Sequence, residues 1–126
     1  MNKLEIEAVK QENVEISISD MDDGTIITIT GDIDMEDPSS LLDPVFEKAH
    51  KGTLEKKMKS IILDLKKLAF LNSSGIKAIA KWVMKLSEVP EEERYSIRIL
   101  HDKATTWQVT SLPTLTFLVP GAVKLD

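Results

Sequence analysis

Asn72-Ser73-Ser74-Gly75 is the stretch of this sequence whose residue types could do chemistry together at a helix start. Asparagine and serine are favoured N-cap types, because a side-chain oxygen there accepts from backbone N–H groups that lack partners in the first helical turn. A serine in that place either caps the helix, worth about 1 kcal/mol, or offers its hydroxyl for covalent modification. Catalysis by Ser73 with Asp34 or Asp64 nearby would need a base and an oxyanion loop. Neither His50 nor His101 stands near a matching turn, and no glycine-rich loop is present. The chain therefore reads as a non-enzyme with no catalytic residue.

A second cluster, Gly31-Asp32-Ile33-Asp34-Met35-Glu36-Asp37, carries four carboxylates. Their oxygens suit a hard cation, but the alternating acids, central glycine and closing glutamate of a calcium loop are missing. A solvated loop leading into the next helix is the better reading, and no metal or cofactor is expected.

The elements that must position these residues follow from periodicity. Ile61-Ile62-Leu63 is a short apolar run of the kind buried on both faces of a sheet. Leu68 to Leu71 forms an apolar approach to the quartet. After it, Ile76, Ile79, Ala80, Val83 and Leu86 recur on one face of a helix from Ser74 to Ser87. Lys77, Lys81 and Lys85 stand four apart on the other side, as a solvated stripe or a docking edge for an acidic partner. Trp82 falls on the border between the faces.

Upstream, Val14, Ile16 and Ile18 alternate with polar residues, Asp23-Gly24 signals a hairpin, and Ile26, Ile27 and Ile29 return in a strand ending at Gly31. Pro38-Ser39-Ser40 marks a helix start, and Pro44 puts its first turn near Asp43. Tyr95, Ile97 and Ile99 give a further strand. Trp107 to Leu118 is helical, with Pro113 forcing a kink or two pieces joined near Ser111. Ala122 to Leu125 is a last edge strand. Residues 1–12 are a flexible arm or an edge strand. The order β-β-α-β-α-β-α-β implies one α/β domain over residues 1–126. Its sheet is mixed and four- to five-stranded, with an antiparallel N-terminal hairpin and helices largely on one face.

Composition narrows the function classes. A chain of 126 residues can bury a core without staples, and 42% apolar with 29% charged residues is ordinary for a soluble domain. Without cysteine there is no disulfide, thiol nucleophile or cysteine metal site. A net charge of −5 gives no bulk attraction to nucleic acid or an anionic membrane. No apolar run approaches a bilayer span, and MNKLEIEAVK has no signal-peptide core, which fits a cytoplasmic protein.

Gly31-Asp32-Ile33-Asp34 and Leu63-Asp64-Leu65 through Leu71-Asn72-Ser73-Ser74-Gly75-Ile76 together resemble the STAS domain of the bacterial anti-sigma-factor-antagonist type. That family carries a G-[ED]-[LI]-D turn after its second strand and, later, a strand followed by D-S-S-G or D-S-T-G opening a helix. The resemblance implies a protein that switches partners. By it, Ser73 is the phospho-acceptor of a partner serine kinase, which in that family often doubles as the anti-sigma factor, and a metal-dependent serine phosphatase reverses the modification. The unphosphorylated form binds the kinase. Partner contacts then fall on Asp34, Asn72, Ser74, Gly75, Lys77 and Lys81, with Ser74 as cap and Gly75 allowing close approach. Asn72 stands where the family has aspartate, which removes a charge and keeps a cap acceptor. An unphosphorylated STAS scaffold or small-ligand-binding module is the alternative, and Asn72 favours it.

Overall fold

The computed structural model describes residues 2–11 and 13–126. Seven strands form one mixed sheet: β1 (Val9–Gln11), β2 (Val14–Met21), β3 (Gly24–Ile33), β4 (Ser60–Asp64), β5 (Leu68–Leu71), β6 (Ser96–Leu100) and β7 (Val123–Leu125). Their order is β1-β2-β3-β4-β6-β7, antiparallel across β1-β2-β3 and parallel from there on. Helices α1 (Ser39–Glu55) and α2 (Ser73–Ser87) are the two long crossovers. A short helix α3 (Thr106–Ser111) runs into a 3-10 segment at Leu112–Phe117, the two pieces that Pro113 requires.

The sheet has more strands than the four to five expected, for two physical reasons. β1 is three residues long and pairs Val9 with Ile16, at an edge where little apolar pattern is needed. Leu4 and Ile6 ahead of it are buried, so the arm is packed rather than free. Met1 and Glu12, at the ends of the 1–12 segment, lie outside the described residues. The second extra strand is β5, which pairs with the far half of β3. Ten-residue β3 thus serves two parallel neighbours in succession: Gly24–Thr28 pairs with β4, and Gly31–Ile33 with β5.

Two boundaries also differ. Met21 pairs with Gly24, so Asp22-Asp23 is the hairpin connection and Gly24 already belongs to β3. Helix α1 begins at Ser39, not near Asp43, and takes Pro44 into its second turn. Only one intrahelical bond is lost there, close to the end where donors are unpartnered anyway.

Alternation along the central strands puts Ile27, Ile29, Ile61, Leu63, Ile97 and Ile99 on one face, all fully buried. Leu42, Val45, Phe46 and Ala49 of α1 and Ile79, Val83 and Leu86 of α2 complete that core. Trp82 is buried rather than on a border. Its ring stacks on Phe46 with centroids 4.6 Å apart, and its Nε1–H donates to the Tyr95 hydroxyl at 2.8 Å. Ile76 and Ala80 are correspondingly only half-buried, the helix being rolled toward Trp82.

Candidate functional site

Sequence motifs about forty residues apart meet because β3 and β5 are neighbours. The register Ile33↔Leu71 sets the end of Gly31-Asp32-Ile33-Asp34 beside the turn into α2. Gly31 has φ of +101°, and a Cβ there would lie 2.1 Å from the Asn13 carbonyl oxygen. Only glycine suits this bend, where the β3–β5 pairing also shifts register.

Ser73 is the first residue of α2, and its side chain and that of Ser74 are exposed. Neither is the cap. Asn72 is extended (φ −74°, ψ 172°), and its Oδ1 accepts from the Gly75 N–H at 2.8 Å. This corrects the expectation that Ser74 caps the helix. Asn72 uses its other polar groups too. Its N–H donates to Ile33 at 3.0 Å, its carbonyl accepts from Ile76 at 3.1 Å, and its Nδ2 donates to the Met35 carbonyl at 2.8 Å. The helix therefore begins properly without spending either hydroxyl.

Gly75 is buried, so it is not a surface gap for a partner. A Cβ on it would sit 2.2 Å from Leu71 Cδ1 and 3.3 Å from Asn72 Oδ1. Its role is internal: the missing side chain lets Leu71 fill the space under the first turn while the Gly75 N–H reaches its cap.

Around this point the surface is acidic on one side. Asp32, Asp34, Glu36 and Asp37 are exposed. They do not converge as ligands; among the described residues no three acidic or histidine side chains gather as a metal-binding group. Asp37 instead holds the start of α1, accepting from Ser39 Oγ at 2.6 Å on its carboxylate and from Ser40 Oγ at 2.9 Å on its carbonyl. Phe70, in register with Asp32, is 45% exposed, an aromatic that sequence reading placed in an apolar approach and not on the surface.

The lysine stripe of α2 divides. Lys81 pairs with Asp43 at 3.1 Å and Lys85 with Glu47 at 3.5 Å, both acids on α1. These two lysines stitch neighbouring helices. Lys77, one turn below Ser73, is exposed and in no ion pair among the described residues. Of the residues expected at the site, Asp34, Asn72, Ser73, Ser74 and Lys77 lie toward the start of α2, and Lys81 lies farther along it, turned to α1.

Both histidines are engaged elsewhere. His50 Nδ1 is 2.7 Å from the Tyr95 hydroxyl, and His101 Nδ1 is 2.8 Å from the Asp126 carbonyl. Burial, helped by the Lys85 charge, pulls the His50 imidazole below its ordinary value, and burial pushes the Tyr95 phenol up.

A mixed sheet covered by helices on one face, with a hydroxyl displayed where a parallel strand hands over to a helix, defines the class of α/β domain. Residues 5–89 match the family model of the STAS domain, and the chain belongs to that family. No curated protein sequence matches it significantly. Among solved structures, an anti-sigma factor antagonist from Mycobacterium paratuberculosis is similar at 21% identity and a TM-score of 0.56, over 88% of this chain and 85% of that one. A chain in the complex of the diguanylate cyclase SiaD with its activator SiaC from Pseudomonas aeruginosa is similar at 20% identity and a TM-score of 0.68. That match spans 96% of this chain and all of the other. A protein with a SpoIIAA-like fold from Shewanella loihica is similar at 17% identity and a TM-score of 0.55, over 94% and 88%. Likeness at these identities establishes the fold.

Proposed function

We propose that this chain is a phosphorylation-switched protein-interaction regulator. It binds a serine kinase of the anti-sigma-factor type when Ser73 is free and is released when Ser73 carries phosphate; a metal-dependent serine phosphatase resets it. The observation that carries this reading is the exposed Ser73 hydroxyl, left free because Asn72 supplies the helix cap. Phosphate would add about −1.5 to −2 charges at a helix start, where unpartnered N–H groups favour an anion. The helix is therefore expected to persist, and the switch to act on the partner's surface. Burying such a charge without a counter-ion in an interface costs about 2–5 kcal/mol, enough to turn bound into free. The protein does no chemistry itself; it is substrate and competitor. It acts in the cytoplasm, beside those partners.

A second reading is a binding module whose serines are never modified. Asn72 in place of the family's aspartate favours it. Intact-mass analysis of the protein recovered from its own cells separates the two. The switch requires a species heavier by one phosphate that Ser73→Ala abolishes. A single unmodified mass under all growth conditions would leave only the binding module.

A further inference from the structure

We propose that Asn72 couples the charge on residue 73 to the acidic loop 34–37, through the hydrogen bond its amide group donates to Met35. This rests on Ser73 being the phospho-acceptor. Two bonds from one residue bracket Asp34: the Asn72 N–H reaches Ile33 at 3.0 Å and Nδ2 reaches Met35 at 2.8 Å. Among the described residues no other side-chain hydrogen bond joins the loop to the start of α2. The remaining side-chain bonds of the loop run through Asp37 to Ser39 and Ser40, at the start of α1.

The residue type matters. Aspartate in this place would keep the cap, because a carboxylate oxygen accepts from the Gly75 N–H equally well. It has no donor for Met35, and its second oxygen would face that carbonyl. Serine would likewise cap without reaching across. Asparagine alone among common cap residues supplies an acceptor and a strong N–H donor from one short side chain. Asn72 is therefore a positioning residue: it makes the loop and the hydroxyl a single surface.

That joined surface responds to charge. Asp34 and Glu36 are exposed, and neither is in an ion pair among the described residues. A phosphate on the residue next to Asn72 adds negative charge beside theirs. The cap side of Asn72 is favoured by the helix and stays. The Met35 side is the weaker point, and the loop relieves repulsion by giving it up.

Nuclear magnetic resonance of the Asn72 side-chain amide tests this on the intact chain, with phosphoserine installed at position 73 during translation. Phosphoserine is expected to speed solvent exchange of the Asn72 Nδ2 protons at least about fivefold, the low end of ordinary coupling, while amides in the middle of α2 keep their protection. Asn72→Asp and Asn72→Ser, which keep the cap but lack the donor to Met35, should raise the backbone mobility of loop 34–37 in spin relaxation without phosphate, and phosphate should then add little. Equal Nδ2 exchange with and without phosphate in the Asn72 chain overturns the proposal, as does an unchanged loop in Asn72→Ser. The two readings fail separately: absence of phosphate on protein from native cells removes the switch and with it the setting in which the coupling acts, whereas absence of coupling in the phosphoserine chain removes the coupling alone.

Discussion

The Tyr95 hydroxyl stands 2.7 Å from His50 Nδ1, joining the residue that precedes β6 to α1 inside a chain of hydrogen bonds that ends at Trp82 of α2. Indole N–H only donates, so Tyr95 oxygen accepts from Trp82, and its single proton is left for His50. Counting donors assigns His50 as neutral imidazole with its proton on Nε2. Protonation would set a second donor against the Tyr95 oxygen and leave the phenol proton without an acceptor.

Stability should therefore fall in mild acid. The His50 value is lowered in the folded state from its ordinary 6.5, so the unfolded chain holds the proton more tightly. The contribution is fully present above the unfolded value and is lost as pH falls from about 6.5 toward the lowered folded value. Urea midpoints should drop between about pH 7.5 and about pH 5.5, above the range where most carboxylates titrate. His50→Gln should flatten that drop; an unchanged slope would disprove the assignment.

Tyr95→Phe keeps the ring and removes the shared oxygen. The buried Trp82 N–H is then left without an acceptor, which costs about 1–3 kcal/mol. Chemical denaturation measures the loss, and near-ultraviolet circular dichroism should report the changed Trp82 environment.

At the site, Ser73→Ala and Asn72→Ala should separate cleanly. Ser73 is no cap and is exposed, so its loss is expected to change stability by less than about 0.5 kcal/mol. Asn72→Ala removes the cap and should cost about 1 kcal/mol. Thermal melts of both variants check this, and a reversed order would reassign the cap.

Gly75→Ala tests the packing under the first turn. In an open helix the change would gain about 1 kcal/mol from propensity. Here the new methyl meets Leu71 at 2.2 Å, and overpacking costs about 1–3 kcal/mol. A net loss is expected, partly returned when Leu71→Val makes room. Net stabilisation by Gly75→Ala alone would mean that Leu71 yields freely.

Local signals made the serine legible. Cap types followed by a helical period are decided within one turn, and Ser73 is exposed at the start of α2 as that pattern requires. What escaped depends on pairing across the chain. Leu68 to Leu71 is a strand only because the far half of β3 lies open to it. Trp82 sits inside because Tyr95, thirteen residues on, offers an acceptor. The second duty of Asn72 depends on Met35, thirty-seven residues back. Gly75 reads as an opening in the sequence, yet the space it leaves is taken by Leu71. Periodicity carries no information about any of these partners.

Because β3 is long enough to hold β4 and β5 end to end, the separation between Asp34 and Ser73 is fixed by a ladder and not by the chain between them. Lengthening α1, or the segment joining it to β4, would leave both where they are. Distant relatives of this chain should then be aligned on the Ile33–Leu71 rung, with the number of intervening residues free to drift.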